Sequence, residues 1–124
     1  MIDIGETFAA RRFGTLSYVL HGALAAQDYL GDTAGDSGVS MPACTLNHVH
    51  YHLGSADDGN TDVVFHNETQ GTSDTVTLST NTEDDAALDL DFDEGDELAV
   101  EVGAVTTPGS DLSLLVEYEQ QEIA

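Results

Sequence analysis

The sequence predicts an all-β fold, a single antiparallel β-sandwich, on three observations. From about residue 40 onward, apolar residues recur at every second position rather than every 3.6. The alternating runs are short, and clusters of Gly, Asp and Asn separate them. Hydrophobic residues make up 40% of the chain, enough to build a core despite a formal net charge of -22.

The first 40 residues are the least regular. Residues 15–20 read as a strand, residues 22–27 as part of a short helix, and residues 31–40 as a Gly/Asp/Ser loop. The rest is plainer. Leu46 to Leu53 puts Val49, Tyr51 and Leu53 on one face and His48, His50 and His52 on the other. After the turn at 54–60, residues 61–66 form a β-rich run. Residues 75–80 alternate, and residues 81–85 break the pattern. Leu88, Leu90 and Phe92 then alternate with Asp89, Asp91 and Asp93 up to a tight turn at Gly95-Asp96. There Gly95 permits a positive φ, and Asp96 can hydrogen-bond its own backbone. Leu98, Val100 and Val102 alternate with Glu97, Ala99 and Glu101. Pro108-Gly109 closes a hairpin by fixing one φ and freeing the next, and residues 112–118 form the last strand. These make about six strands; two more in the first 40 residues bring the total to about eight, the number in a jelly roll. The expected division is an N-terminal segment at 1–14 and a jelly-roll sandwich at 15–124.

Charge limits what the protein does. Its 124 residues are one domain's worth, with 24 Asp and Glu against 2 Arg and no Lys. The two cations are adjacent, Arg11 and Arg12. Such a field repels phosphate and anionic lipid, which argues against nucleic acid and membrane partners. It also repels itself, and molar salt relieves that cost by shortening the Debye length to about 3 Å. The composition therefore points to an extreme halophile or one of its viruses. One cysteine, Cys44, supports neither an internal disulfide nor a thiolate cage. Its apolar neighbours mark it as a buried, inert thiol. No apolar run reaches membrane-spanning length, and the first residues lack a signal peptide's pattern, so folding in the cytoplasm is expected.

The chemistry-bearing candidates are few. In a strand, residues i and i+2 share a face with Cα atoms roughly 6.5 to 7 Å apart. His48, His50 and His52 therefore suit a divalent zinc, nickel or copper ion, with a third ligand from an acidic neighbour or a second copy. They suit a polar surface or an oligomer seam equally well. The acidic run 89–96 has Glu94 where a calcium loop requires glycine, so it reads as a solvated strand face. The loop 57–62, with Asp57, Asp58 and Asp62, is a weak cation candidate. Asn67-Glu68-Thr69 fits a glycosylation sequon and is read as chance in a chain that crosses no membrane. Arg11 and Arg12 suit a dock for an acidic protein, or an ion pair with Asp3 or Glu6. Neither a phosphate loop, a nucleophile elbow nor a zinc-protease helix motif is present, so the expectation is a non-enzyme without a resident cofactor.

Three stretches carry a resemblance. One is Phe13-Gly14-Thr15-Leu16, followed by Met41-Pro42-Ala43-Cys44-Thr45-Leu46 leading into His48 to Ser55. The second is Phe92 to Val100, and the third is the closing hairpin from Gly103 to Val116 through Pro108-Gly109. On these stretches the chain resembles the small jelly-roll virion proteins of tailed phages and haloarchaeal tailed viruses, found in head decorations, turrets, collars and fibre heads. The likeness covers residues 41–119, and residues 1–40 poorly. It implies a structural virion role, as a capsid decoration or turret subunit forming a homo-oligomer, a trimer in preference to a pentamer. Phe8, Arg11, Arg12 and Phe13 would dock on the major capsid protein or another virion protein. The alternative is a fibre-tip or lectin-like module that binds host surface glycan through residues 31–40 and 54–60. A cupin-like metal protein would require His48, His50 and a third ligand to converge inside the barrel.

Overall fold

The computed structural model describes residues 12–26, 29–30, 39–103 and 105–120. Every regular element among them is a strand: β1 (Arg12–Ala23), β2 (Tyr29–Leu30), β3 (Val39–Ser40), β4 (Cys44–His52), β5 (Asp62–Asn67), β6 (Thr72–Thr77), β7 (Glu83–Phe92), β8 (Glu97–Val102) and β9 (Ser110–Gln120). One sheet runs β1-β9-β4-β7. The other runs β2-β8-β5-β6, with β3 following β2 along the same edge of β8. All pairings are antiparallel. The protein is thus all-β, a sandwich of two antiparallel sheets.

Alternation explains how the sheets meet. Leu46, Val49, Phe92, Leu112 and Val116 point inward from the first sheet, and Val63, Phe65, Leu98, Val100 and Val102 from the second. All are buried in one continuous core, each contributing roughly 1.5–3 kcal/mol relative to exposure. Acidic side chains take the opposite positions, as in Asp85, Asp89 and Asp91 of β7, which are exposed.

The central strand β4 changes phase. Cys44 and Leu46 face the core, and so do Val49, Tyr51 and Leu53 after them. Between Leu46 and His48, β4 advances two residues while β9 advances one, so Asn47 is an extra residue against β9. A one-residue slip exchanges the two faces of a strand. Were Asn47 paired one-to-one in a regular strand, His48 and His50 would continue the inward series of Cys44 and Leu46; the bulge there turns them outward.

Three expectations are corrected. Residues 22–26 are not helical: Gly22 and Ala23 finish β1, and residue 27 lies outside the described residues. Gly22 adopts a φ of 87 at an irregularity in the β1–β9 register, and the next turn buries Leu24. Residues 83–85 continue β7 rather than break it, because Glu83, Asp84 and Asp85 pair with His52, Tyr51 and His50. Gly109 does not supply a left-handed φ. It is needed for closeness, since a Cβ there would lie 2.6 Å from the Ser55 carbonyl oxygen. By contrast Gly95 has a φ of 88, as the turn requires. The strand opening at Arg12 also places Arg12, Phe13 and Gly14 in the sheet, opposite Gln120, Glu119 and Tyr118. Phe8 and Arg11 lie outside the described residues, as does most of the loop expected at 31–40, whose last two residues form β3.

Candidate functional site

The outer face of the β1-β9-β4-β7 sheet gathers the histidines. Pairing across the strands sets its rows: Thr15, Glu117, His48 and Ala87; then Ser17, Leu115, His50 and Asp85; then Val19, Ser113, His52 and Glu83. Each row runs from an uncharged residue on β1 toward the acidic strand β7.

Within these rows His48, His50 and Asp85 come together. Their ligand atoms all lie within 4.8 Å of one another. His48 Nε2 is 3.5 Å from Asp85 Oδ2, and His50 Nδ1 is 3.8 Å from the same oxygen. On its far side His50 Nε2 is 3.7 Å from Glu117 Oε2. The two imidazole centroids are 4.6 Å apart with the rings inclined by 48°. His48 is half-buried, and its Nε2 is shut off from solvent without a hydrogen-bond partner among the described residues. His52 is exposed and stands outside this group. The expected histidine face is therefore present; two of its three members meet an acidic neighbour, and the third does not. All three face outward, which removes the cupin-like arrangement of ligands inside a barrel.

Beside the histidines the face becomes apolar. Val19 is 54% and Leu115 39% exposed. With Ser17, Ser113, His52 and Glu83 they line a shallow depression of about 370 Å³. Phe13 is 67% exposed farther along β1.

The other candidate carboxylates are committed to the fold. Asp57 Oδ1 accepts from the Thr61 hydroxyl at 2.5 Å and from Gly109 N at 3.0 Å. Its Oδ2 accepts from Gly59 N at 2.8 Å and Thr61 N at 3.2 Å. Burial pushes the Asp57 carboxyl up, but these four donors outweigh it and hold the group below its ordinary value. Asp58 accepts from Asn60 N and Thr107 N. Of the carboxylates that suggested a weak cation site in loop 57–62, Asp57 and Asp58 thus anchor that loop to its own residues and to the segment before β9, and Asp62 accepts from the Thr77 hydroxyl of β6. The same commitment weakens the glycan-binding alternative at 54–60.

Asp96 closes a second network. Its Oδ2 accepts from Asn67 Nδ2 at 2.9 Å, Gln70 Nε2 at 2.5 Å and Asp93 N at 2.9 Å. The Asn67 side chain, followed by the Asp93 backbone and Gln70, holds this carboxyl below its usual value. Asn67 is fully buried and also donates to the Asp91 carbonyl, so the sequon amide is inaccessible in the fold. Cys44 is buried as expected. Burial, and then the charge of Asp91, push its thiol up to about 11. On the second sheet His66 Nε2 lies 2.5 Å from Glu101 Oε1, a compact pair with no third ligand among the described residues.

Sequence reasoning missed Asp85 and Glu117. Neither has a special spacing to the histidines; the strand register alone brings them there. No protein-family model matches the chain, and no curated protein matches it.

Proposed function

We propose that the chain is a non-catalytic structural subunit of a virion, a capsid decoration or turret protein of a halophilic archaeal tailed virus. It would act as a homo-oligomer, a trimer in preference to a pentamer. One observation carries the reading: the strand pairs are nested. β1 lies against β9, β2 and β3 against β8, β4 against β7, and β5 against β6. Such nesting supports a long antiparallel ribbon rolled on itself, the jelly-roll wrapping that capsid and lectin domains use.

Two further features support assembly. β1 is 12 residues long, and its outer edge has no strand partner among the described residues. A long open edge is a template for unwanted pairing, and a subunit contact along it removes the hazard. Exposed Phe13 lies on the same strand, and with Phe8, Arg11 and Arg12 it is the proposed shell-facing contact. A net charge of -22 keeps the remaining surface hydrated in brine and repels nucleic acid and anionic lipid.

Light scattering coupled to size-exclusion chromatography in molar salt tests this reading. A discrete trimer or pentamer is expected, with virion proteins rather than nucleic acid as the larger partner. A monomer at every concentration would overturn the self-assembling subunit and favour the fibre-tip or lectin-like module.

A further inference from the structure

We infer that His48 Nε2, His50 Nδ1 and Asp85 Oδ2 form a three-ligand site for a zinc-class divalent metal, with Glu117 orienting His50 and water as the fourth ligand. The inference does not depend on the virion reading.

The spacing is the first argument. Tetrahedral zinc with bonds of about 2.0–2.2 Å keeps its donor atoms roughly 3.3–3.5 Å apart. Here the two nitrogen–oxygen separations are 3.5 and 3.8 Å, and no pair of donors exceeds 4.8 Å. Small side-chain rotations complete the geometry. The same separations are too long for charge-assisted hydrogen bonds, which close to about 2.7–2.9 Å. The three groups are spaced as ligands around a common centre, not as a tight ion pair.

The second argument is the orphaned nitrogen. His48 Nε2 is sealed from solvent and makes no hydrogen bond among the described residues. A buried polar atom left without a partner is costly, and a metal bond would satisfy it. Third, when His50 binds through Nδ1, its Nε2 faces Glu117 at 3.7 Å, a gap that the same side-chain rotations would have to close to a hydrogen bond. A carboxylate behind a ligating imidazole is the usual outer support of a histidine–metal bond, fixing the tautomer and ring orientation.

Chemistry then selects the ion. Sodium, potassium and magnesium prefer oxygen ligands, whereas imidazole favours zinc, nickel and copper. Two imidazoles and one carboxylate on a strongly acidic surface attract cations generally and retain the borderline ones.

Zinc and cobalt titrations test the site, in a sulfate-stabilised, low-chloride buffer with folding monitored by circular dichroism. The full chain is expected to bind one zinc, to shift its unfolding temperature upward, and to give the intense visible bands of tetrahedral cobalt. His48→Gln, His50→Gln and Asp85→Asn should each abolish the bands and the thermal shift while remaining folded without metal. Glu117→Gln should keep the stoichiometry but weaken affinity by about 10–100-fold. His52→Gln and His66→Gln should change nothing. Failure to bind one zinc would overturn the inference, as would equal losses in His52→Gln and His50→Gln, or retained bands in Asp85→Asn.

Discussion

Replacing Asp57 by asparagine isolates one carboxylate's contribution to joining two loops. Every partner of the native group is a donor: Gly59 N, Thr61 N, Gly109 N and the Thr61 hydroxyl. Asparagine keeps the shape but must turn an NH2 toward some of them. Its least costly orientation points the amide nitrogen at the Thr61 hydroxyl, which rotates to accept. The buried Gly109 N–H is then orphaned, at about 1–3 kcal/mol. The bonds from Gly59 N and Thr61 N survive but lose a charged acceptor, at about 0.5–1 kcal/mol each. Removing one of 24 acidic residues works the other way, by tenths of a kcal/mol once molar salt screens the surface. The expected net loss is about 3 kcal/mol. With an m-value of roughly 2 kcal/mol/M, the urea midpoint falls by about 1.5 M. Far-ultraviolet circular dichroism in molar salt reads it directly. A loss below about 1 kcal/mol would refute the account of Asp57 as the loop's anchor.

The same carboxyl sets an acid dependence. Its folded pKa is below the ordinary 3.8, so its stabilisation is present above that value and is lost as pH falls through the depressed folded value. Asp96 acts in the same direction. Proton uptake on acid unfolding should therefore drop in Asp57→Asn. Gly109→Ala should cost about 1–3 kcal/mol in urea melts, because the atom it meets is a backbone oxygen that cannot move aside. Tyr18→Phe should stabilise by about 1 kcal/mol: the buried Tyr18 hydroxyl has no partner among the described residues. A destabilised Tyr18→Phe would reveal a partner. The unfolding temperature should climb as salt rises from about 0.1 to 1 M and the Debye length shrinks from about 10 to 3 Å. A flat profile would remove self-repulsion as the cost that salt relieves.

The legible parts of this sequence were those that rest on local alternation. β5, β8 and β9 lie close to the expected positions because core-facing residues such as Val63 and Phe65, Leu98, Val100 and Val102, or Leu112, Leu114 and Val116 recur at every second position. β1 was legible only in its middle. Arg12, Phe13 and Gly14 lie outside the expected strand at 15–20; they are in β1 because β9 is long enough to pair with them, through Gln120, Glu119 and Tyr118. The histidine face was visible, yet Leu46 shares its parity with His48 and His50. Only the extra residue Asn47, defined by the register against β9, reconciles a buried Leu46 with outward histidines. Asp85 was unreadable as a partner for the same reason. Among so many carboxylates, long-range register decides which one faces an imidazole. The anchoring role of Asp57 was not readable because a loop carboxylate that binds a cation and one that binds backbone amides look identical in sequence.

Assembly and metal binding draw on one sheet face but on different parts of it. Along the central row, Ser17 and Leu115 lie toward the open edge of β1, while His50 and Asp85 lie toward β7. A seam along β1 would cover Phe13 and Val19 and leave the histidine–carboxylate group facing solvent. The two proposals then separate experimentally. Val19→Glu should weaken the oligomer, because it sets a carboxylate into an apolar contact within an already acidic surface, yet each chain should still bind one zinc. His50→Gln should abolish zinc binding and leave the oligomer intact. An oligomer that dissociates on adding a chelator would refute this separation: the metal would then lie at the seam, and a side chain of a second copy would have to supply its fourth ligand.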